Sequence, residues 1–452
     1  MPSPFHALAR FADGSYIDRP ATDAAFARMH RRDVVGDRVH LALACLGLFL
    51  LAGPVTVTEL AFAPLLVFFF VRAVNTGPLW IHAFGQPAVL TGLALAAWLG
   101  ITLAWSPDRA QGLDEIARLR WFLLVGLIYP AIERRHALTT ALALGLIVAG
   151  LAQLASGFDA LHPPFASSHP SRITGWWDPV VAGSVQVGAI GLFLPAALRG
   201  AGRDRWIGTI GLTVAVAGLL ASGTRGAWLS GGLLLLIAVP LILRGAETRA
   251  KRTAGAVVLV GVVAVVLVGW SQRAGLALRV DQARTELAAA GGGDLDSPTG
   301  ARIAVMNLAA ESGTARPWGL GAGGIRTAAA ARFGEGHAAA HLEHAHSSPL
   351  HLFGVGGPVA LFLGGLFAWA VLRAGVRETP ADPNRALEAG LPLAFAGLLL
   401  AGLFDAVHIN THTAALLGAL AALCPAYRPT PSERAGHDKP QTVSPNKDLF
   451  IR

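Results

Sequence analysis

A series of apolar runs, separated by short basic segments, constrains the fold of this chain more than any other feature. A helix that crosses the hydrocarbon core of a bilayer needs about 17–25 mostly apolar residues. About twelve runs approach or reach that length, near residues 39–53, 55–72, 87–105, 116–132, 136–155, 180–198, 206–222, 226–243, 253–270, 349–372, 387–405 and 411–427. The first is short, and Pro54 divides the 39–72 region, which could instead be re-entrant. The pattern predicts an all-α polytopic membrane protein.

Composition excludes several other classes of protein. Hydrophobic residues make up 53% of the chain and charged residues 14%, against about 25% charged residues in a soluble domain. Cys45 and Cys424 both lie in or beside apolar runs, which argues against a disulfide framework or a cysteine-ligated metal. The first 38 residues have no apolar core followed by a cleavage site, so no signal peptide is expected.

The basic residues show how the chain is oriented. The net charge of +8 is compatible with nucleic-acid binding, but these residues gather in alternate short loops, a pattern that sets membrane topology. Outside the longest loop, the outer side carries only Arg109, Arg118, Arg120, Arg172 and Arg225. We therefore expect no nucleic-acid partner and both termini in the cytoplasm. The predicted order is a cytoplasmic segment 1–38, nine helices in 39–270, a long outer loop 271–348, three helices in 349–427 and a disordered cytoplasmic tail 428–452.

Histidines gather where the long loop meets the next apolar run. His344 and His346 lie in the sequence Glu343-His344-Ala345-His346-Ser347, and an imidazole can take up a proton near neutral pH. His337, His341 and His344 have helical spacing and could share a zinc ion. Against zinc, no Cys or Asp ligand is near in sequence. A proton relay in a transporter is another alternative, although the apolar runs hold few acids apart from Glu59 and Asp405, near their ends.

Arginines on the outer side are candidates for binding an anion. Arg225 is the one charge in its segment and lies between two apolar runs with almost no loop. It could be an interfacial arginine that reaches toward water, or a ligand that grips phosphate oxygens with both ends of its guanidinium. Arg302, at the start of an apolar helical piece, and Arg172 are further candidates.

The ordered set of these features resembles the O-antigen ligase family, within a group that includes O-antigen polymerases and protein O-oligosaccharyltransferases. The matching residues are Arg172-x-x-Gly175, Ser222-Gly223-Thr224-Arg225-Gly226, Arg302 with the following Ile303-Ala304-Val305-Met306-Asn307, the Gly-rich run from Pro317 to Gly323, and His344-Ala345-His346-Ser347. Gly357 follows Ser347 after nine residues, as in the family, whereas Ala360 replaces a frequent glycine at what we interpret as a packing position.

The resemblance implies a glycosyltransferase of the C type (GT-C) in a Gram-negative inner membrane, with its active site in the periplasm. Such ligases transfer O-antigen from undecaprenyl diphosphate to a sugar of lipid A–core and use no cofactor and no metal. His346 is then the candidate catalytic base and Arg225, Arg302 and Arg172 the diphosphate ligands, with His344 in support. Direct displacement would invert the anomeric centre. A polymerase, a protein O-oligosaccharyltransferase and a proton-coupled carrier remain as alternatives.

Overall fold

The computed structural model describes residues 4–157, 172–244, 295–377 and 379–428, together with scattered positions between 255 and 293. All regular elements in these ranges are helices, which confirms the all-α prediction. The predicted span 253–270 and the tail after Arg428 lie outside the described residues.

The helices follow one another with short connections. We number them α1 Pro4–Ala12, α2 Arg19–Arg32, α3 Val34–Leu50, α4 Val55–Leu60, α5 Ala63–Val71, α6 Ala73–Phe84, α7 Pro87–Thr102, α8 Arg109–Arg118, α9 Leu124–Ile128, α10 Arg135–Ala155, α11 Pro179–Arg199, α12 Gly202–Ala221, α13 Arg225–Leu243, α14 Pro298–Ala315, α15 Gly324–Phe333, α16 Ser348–Arg377, α17 Ala386–Ala389, α18 Leu391–Ala401 and α19 Thr411–Leu423. Short 3-10 turns occupy Leu119–Leu123, Tyr129–Arg134, Ala338–His341 and Pro383–Arg385.

Fewer of the described helices are long and apolar enough to span a membrane than the sequence predicts. Among the described residues, five are long and apolar enough, or six if the pair of helices bent by 110° between Val55 and Phe84 is one span. The protein is a helical membrane protein, but the prediction of about twelve spans is not confirmed. Several predicted spans are short or divided, because Pro54 separates α3 from α4, and α18 and α19 contain only 11 and 13 residues.

Helix α11 forms the centre of the bundle. Nearly all of its residues are buried, and it packs against α10, α12, α13 and α18. Small residues allow this close packing: a Cβ added at Gly191 would lie 2.4 Å from the carbonyl oxygen of Leu393 in α18. Because α11 lies at the centre, its first residue, Pro179, helps to set the positions of the surrounding helix ends.

The two ends of the bundle have different chemistry. At one end the Nε atom of Arg135 donates to Glu388 over 2.7 Å, and both side chains are almost fully buried. A buried charge of this kind requires its partner, because neither group retains water. At the other end α12 finishes, α11 and α13 begin, and the turn between α18 and α19 returns, so polar residues from four helices converge there.

The long loop predicted at 271–348 contains regular structure. Ser297 caps α14 by accepting a hydrogen bond from Gly300, and Pro298 occupies the first turn. The Gly-rich run after Pro317 lies against a kink in α16, where Gly357 has a φ of 66°. A Cβ at Gly357 would lie 2.0 Å from the Pro317 carbonyl oxygen, so only glycine fits. Ala360 is fully buried beside this kink, in agreement with a packing role.

Candidate active site

A cavity of about 960 Å³ lies at the polar end of the bundle. Its wall is formed by the start of α13, the first turns of α11 and α14, the end of α18 and the loop before α16. Four of the residues selected from the sequence line this one cavity: Arg172, Arg225, Arg302 and His346. Positions far apart in the sequence therefore meet around a space large enough for part of a substrate.

Arg225 is placed by a tight turn between two helices. Helix α12 ends at Ala221, Gly223 adopts a φ of 63°, and the Thr224 hydroxyl donates to the carbonyl of Pro179 over 2.6 Å. Arg225 is then the first residue of α13, and about a third of its side chain remains exposed. This short connection agrees with the sequence, which leaves almost no loop at this point.

Three further arginines surround the same space. Arg302 projects from the first turns of α14, and Arg172 packs its aliphatic stem near Gly223, whose added Cβ would lie 3.4 Å from Arg172 Cγ. Arg284 also lines the cavity, although nothing in the sequence singles it out. Arginines at this density favour an anionic ligand, because their guanidinium groups bind phosphate or carboxylate oxygens in pairs.

Glu286 lies among these cations. Its Oε2 atom is 3.3 Å from Arg225 Nη2 and also accepts a hydrogen bond from the Thr299 hydroxyl. The carboxylate therefore occupies a position where an anionic group would contact Arg225. A ligand phosphate at this point would compete with Glu286 for the guanidinium.

His346 has an unusual backbone. Its φ is 47°, and among the described residues it is the one non-glycine residue in the left-handed region. Such conformations cost about 1–3 kcal/mol and are concentrated at functional sites. The Nδ1 atom of His346 is 3.4 Å from Asp405 Oδ1, while its buried Nε2 atom has no hydrogen-bond partner among the described residues. One ring nitrogen is thus fixed by a carboxylate, and the other is free for a ligand.

Asp405 is held in the turn between α18 and α19. The backbone N–H of Ser348 donates to the carbonyl oxygens of Gly402 and Asp405, and Asn410 Nδ2 donates to Asp405 Oδ2 over 3.2 Å. Burial opposes ionisation of Asp405, but the hydrogen bond with His346 brings the pKa of its carboxyl below the usual value. Asp405 therefore stays ionised at neutral pH, and any stability that its charge contributes is lost only as the pH falls through this lowered pKa.

His344 lies behind His346 and does not line the cavity. The centres of the two rings are 4.2 Å apart, and His344 Nδ1 is 3.9 Å from Asp405 Oδ1. Burial, followed by the charges of His346 and Arg302, lowers the pKa of His344 to about 3 against the attraction of Asp405. His344 is therefore neutral near pH 7. It can pack against His346 without taking up a proton in its place.

The other histidines of the loop lie elsewhere. His337 stacks on Phe333 and is 3.7 Å from Asp296, and His341 ends a short 3-10 turn. The helical spacing of His337, His341 and His344 does not bring them together on one helix, because only a short 3-10 turn spans Ala338–His341 and the chain after His341 is not helical. The argument that no Asp ligand lies near the histidines is also wrong in space, since Asp405 contacts both His344 and His346.

Comparison with known proteins identifies one family. Residues 210–364 match the protein family described as O-antigen ligase. That part of the chain is similar to O-antigen ligases. No curated protein matches the chain.

The ligase match contains only part of the cavity wall. It includes Arg225, Arg302 and His346, whereas Arg172 precedes it and Asp405 follows it. Asp405 had a signal in the sequence, since it is one of the few acids near the end of an apolar run. Arg284 and Glu286 had no such signal in the sequence, because single charged residues are common in polar loops. Only the folded chain identifies these two as residues of the cavity.

Proposed function

We propose that this protein is an O-antigen ligase that transfers a glycan from undecaprenyl diphosphate to a sugar hydroxyl of lipid A–core. The observation that carries the proposal is the cavity itself, where arginines from separate segments face a histidine that is held by a buried carboxylate. The similarity of residues 210–364 to O-antigen ligases supports enzymatic glycan transfer in general terms. The donor, the acceptor and the residue roles are our proposals.

The arginines have the chemistry that a diphosphate leaving group requires. Negative charge grows on the phosphate oxygen as the bond from the sugar C1 atom breaks. Fixed cations that are already in place stabilise this charge without reorganisation. We assign Arg225 and Arg302 as the principal ligands of the diphosphate and Arg172 as a further one. Glu286 moves away from Arg225 when the donor binds.

His346 acts as the general base. The acceptor hydroxyl attacks C1, its proton passes to His346 Nε2, and the bond between C1 and the diphosphate oxygen breaks. Asp405 accepts a hydrogen bond from Nδ1–H, which leaves the lone pair of Nε2 directed to the acceptor and stabilises the imidazolium that forms. A displacement of this kind inverts the configuration at C1. No step in this mechanism requires a metal or a cofactor.

The proposed function, together with the charge pattern, also implies a cellular location. We place it in the inner membrane of a Gram-negative bacterium as a GT-C enzyme, with the cavity facing the periplasm and both termini in the cytoplasm. Bound lipids surround the helices, and no nucleic acid takes part. The basic segments on the opposite side of the apolar runs support this orientation.

Ligation by the purified protein tests the proposal directly. Undecaprenyl-diphosphate-linked glycan and lipid A–core should give glycosylated lipid A–core, and His346→Ala should lower the rate about 10²–10⁴-fold. His341→Ala is the matched control, because His341 is an exposed histidine of the same loop. Extension of the lipid-linked glycan without an acceptor core would instead identify a polymerase. Transfer to a protein would identify an O-oligosaccharyltransferase, and no transfer at all would contradict the enzyme assignment.

A further inference from the structure

His344, His346 and Asp405 bring three metal-binding side chains together at one point. One ligand atom from each lies within 4.8 Å of the other two. Two imidazoles and a carboxylate form a common set of protein ligands for zinc, with a fourth position left for water. The sequence spacing does not reveal this set, because Asp405 comes from the turn between α18 and α19.

The distances fit a tetrahedral ion. Bonds of about 2.0–2.2 Å to nitrogen and oxygen place neighbouring ligand atoms roughly 3.4 Å apart. His346 Nδ1 and Asp405 Oδ1 are 3.4 Å apart, and His344 Nδ1 is 3.9 Å from the same oxygen. The Nδ1 atom of His344 accepts a long hydrogen bond of 3.3 Å from the backbone N–H of His346, which an ion would replace. The adjoining cavity gives access for the ion and space for its water.

We propose that His344, His346 and Asp405 form a binding site for Zn²⁺, and that the ion inhibits the enzyme. The binding site stands on geometry alone, whereas inhibition rests on the proposed function. Neutral imidazole carries one N–H. When Zn²⁺ binds Nδ1 of His346, the proton must lie on Nε2, and Nε2 then has no lone pair to accept a proton from the acceptor hydroxyl. The ion also removes the interaction between Asp405 and Nδ1–H. Magnesium should not replace zinc, because it prefers oxygen ligands in octahedral geometry.

Metal binding is measured first without reference to catalysis. Purified chain, stripped with chelator and desalted, is titrated with Co²⁺, and the visible absorption of the ion bound to nitrogen and oxygen is recorded. Zn²⁺ should remove this absorption, and excess Mg²⁺ should leave it unchanged. His344→Ala should weaken binding at least about 10-fold, since even loss of an outer partner of a metal ligand costs about 10–100-fold. His337→Ala is the control, because its pair with Asp296 lies in the same loop outside this cluster.

Inhibition is measured next as the ratio of turnover with and without Zn²⁺ for each variant. The stripped wild-type enzyme should be active and should lose activity with Zn²⁺. His344→Ala should need at least about 10-fold more Zn²⁺ for the same fractional loss, whatever its basal rate. A matching elution profile in size-exclusion chromatography shows that each variant is folded.

The outcomes separate the two proposals. Equal Co²⁺ binding by wild type and His344→Ala, or no binding by wild type, would overturn the metal site while leaving ligation untouched. Activity that disappears with chelator and returns with Zn²⁺ would overturn inhibition in favour of metal-dependent catalysis. Cobalt binding that follows the predicted pattern in a protein without transferase activity would retain the site and reject the proposed function.

Discussion

His346 Nδ1 lies 3.4 Å from the carboxylate of Asp405, although the whole of α16 and α18 separates the two residues in sequence. The contact joins the end of the long loop to the turn between two apolar helices. It fixes which nitrogen of His346 meets the carboxylate and which one remains for a ligand in the cavity. The assignment of His346 as the base therefore depends on where α18, α19 and the turn between them lie.

Asp405→Asn should lower ligation by about 10²-fold or more, because the amide retains the shape of the carboxyl but not its charge. A purely structural role would instead lower the amount of folded enzyme and leave the turnover of the folded fraction unchanged. Asp296→Asn is the control, because Asp296 faces His337 in the same way outside the cavity.

Arg225→Lys and Arg302→Lys should both impair turnover, because a single ammonium does not reproduce the two-ended contact of a guanidinium with diphosphate oxygens. We expect about 10–100-fold loss for Lys and more for Ala, mostly in kcat. Arg326→Lys serves as the control, since Arg326 is an exposed arginine of the same loop that pairs with Glu343. Equal, normal rates in both cavity variants would remove the electrostatic part of the mechanism.

Glu286→Gln should lower the KM for the donor about two- to fivefold, because an ion pair of this exposure contributes up to about 1 kcal/mol to the form without ligand. The maximal rate should change little if Glu286 only competes with the donor. Glu343→Gln is a closely matched control, as the Glu343–Arg326 distance equals that of Glu286–Arg225, 3.3 Å in each case. A raised KM in Glu286→Gln would show that the carboxylate contacts the substrate instead.

Orientation can be measured with single cysteines at exposed positions. Ala331→Cys should react with a membrane-impermeant thiol reagent added to intact spheroplasts, whereas Ala381→Cys should react only after lysis, because the charge pattern places these positions on opposite sides. The native Cys45 and Cys424 are half-buried and buried, which keeps the background low. Labelling of Ala381→Cys in sealed cells would reverse the orientation. Ala322 and Ala345 are unsuitable reporters, because both are fully buried.

Gly357→Ala should destabilise the protein by about 1–3 kcal/mol or more, because the new Cβ meets the Pro317 carbonyl in a backbone conformation that alanine avoids. Thermal unfolding of the detergent-solubilised protein measures the effect. Gly365→Ala in the same helix is the control: its Cβ would meet nothing within 4 Å, and the substitution should stabilise by up to about 1 kcal/mol. Similar unfolding temperatures for the two variants would contradict the packing described at the kink.

Local chemistry made part of this arrangement predictable. The apolar runs predicted helices, and the isolated charge of Arg225 between two of them marked a polar position at a helix end. Gly357 also carries a signal in the sequence, because only glycine fits the backbone conformation at that position. For the helices and for Arg225, a few neighbouring residues contain the physical reason.

Long-range packing hid the rest. Asp405 becomes a partner of His346 only when the turn after α18 reaches the start of α16, and no local spacing encodes that distance. The number of spans was harder to predict for a related reason. Apolar composition does not distinguish a helix that crosses a bilayer from one that is shorter and buried by its neighbours, such as α19, where every residue except His412 is buried.

Under the proposed mechanism, the left-handed backbone at His346 sets catalysis against stability at one position. His346→Gly would remove the strain of a φ that glycine adopts freely, so the fold would gain where the proposed reaction would lose its base. Selection for stability alone would favour that replacement, and selection for turnover would oppose it. On this proposal, the strained backbone is the cost at which the fold keeps an imidazole beside Asp405.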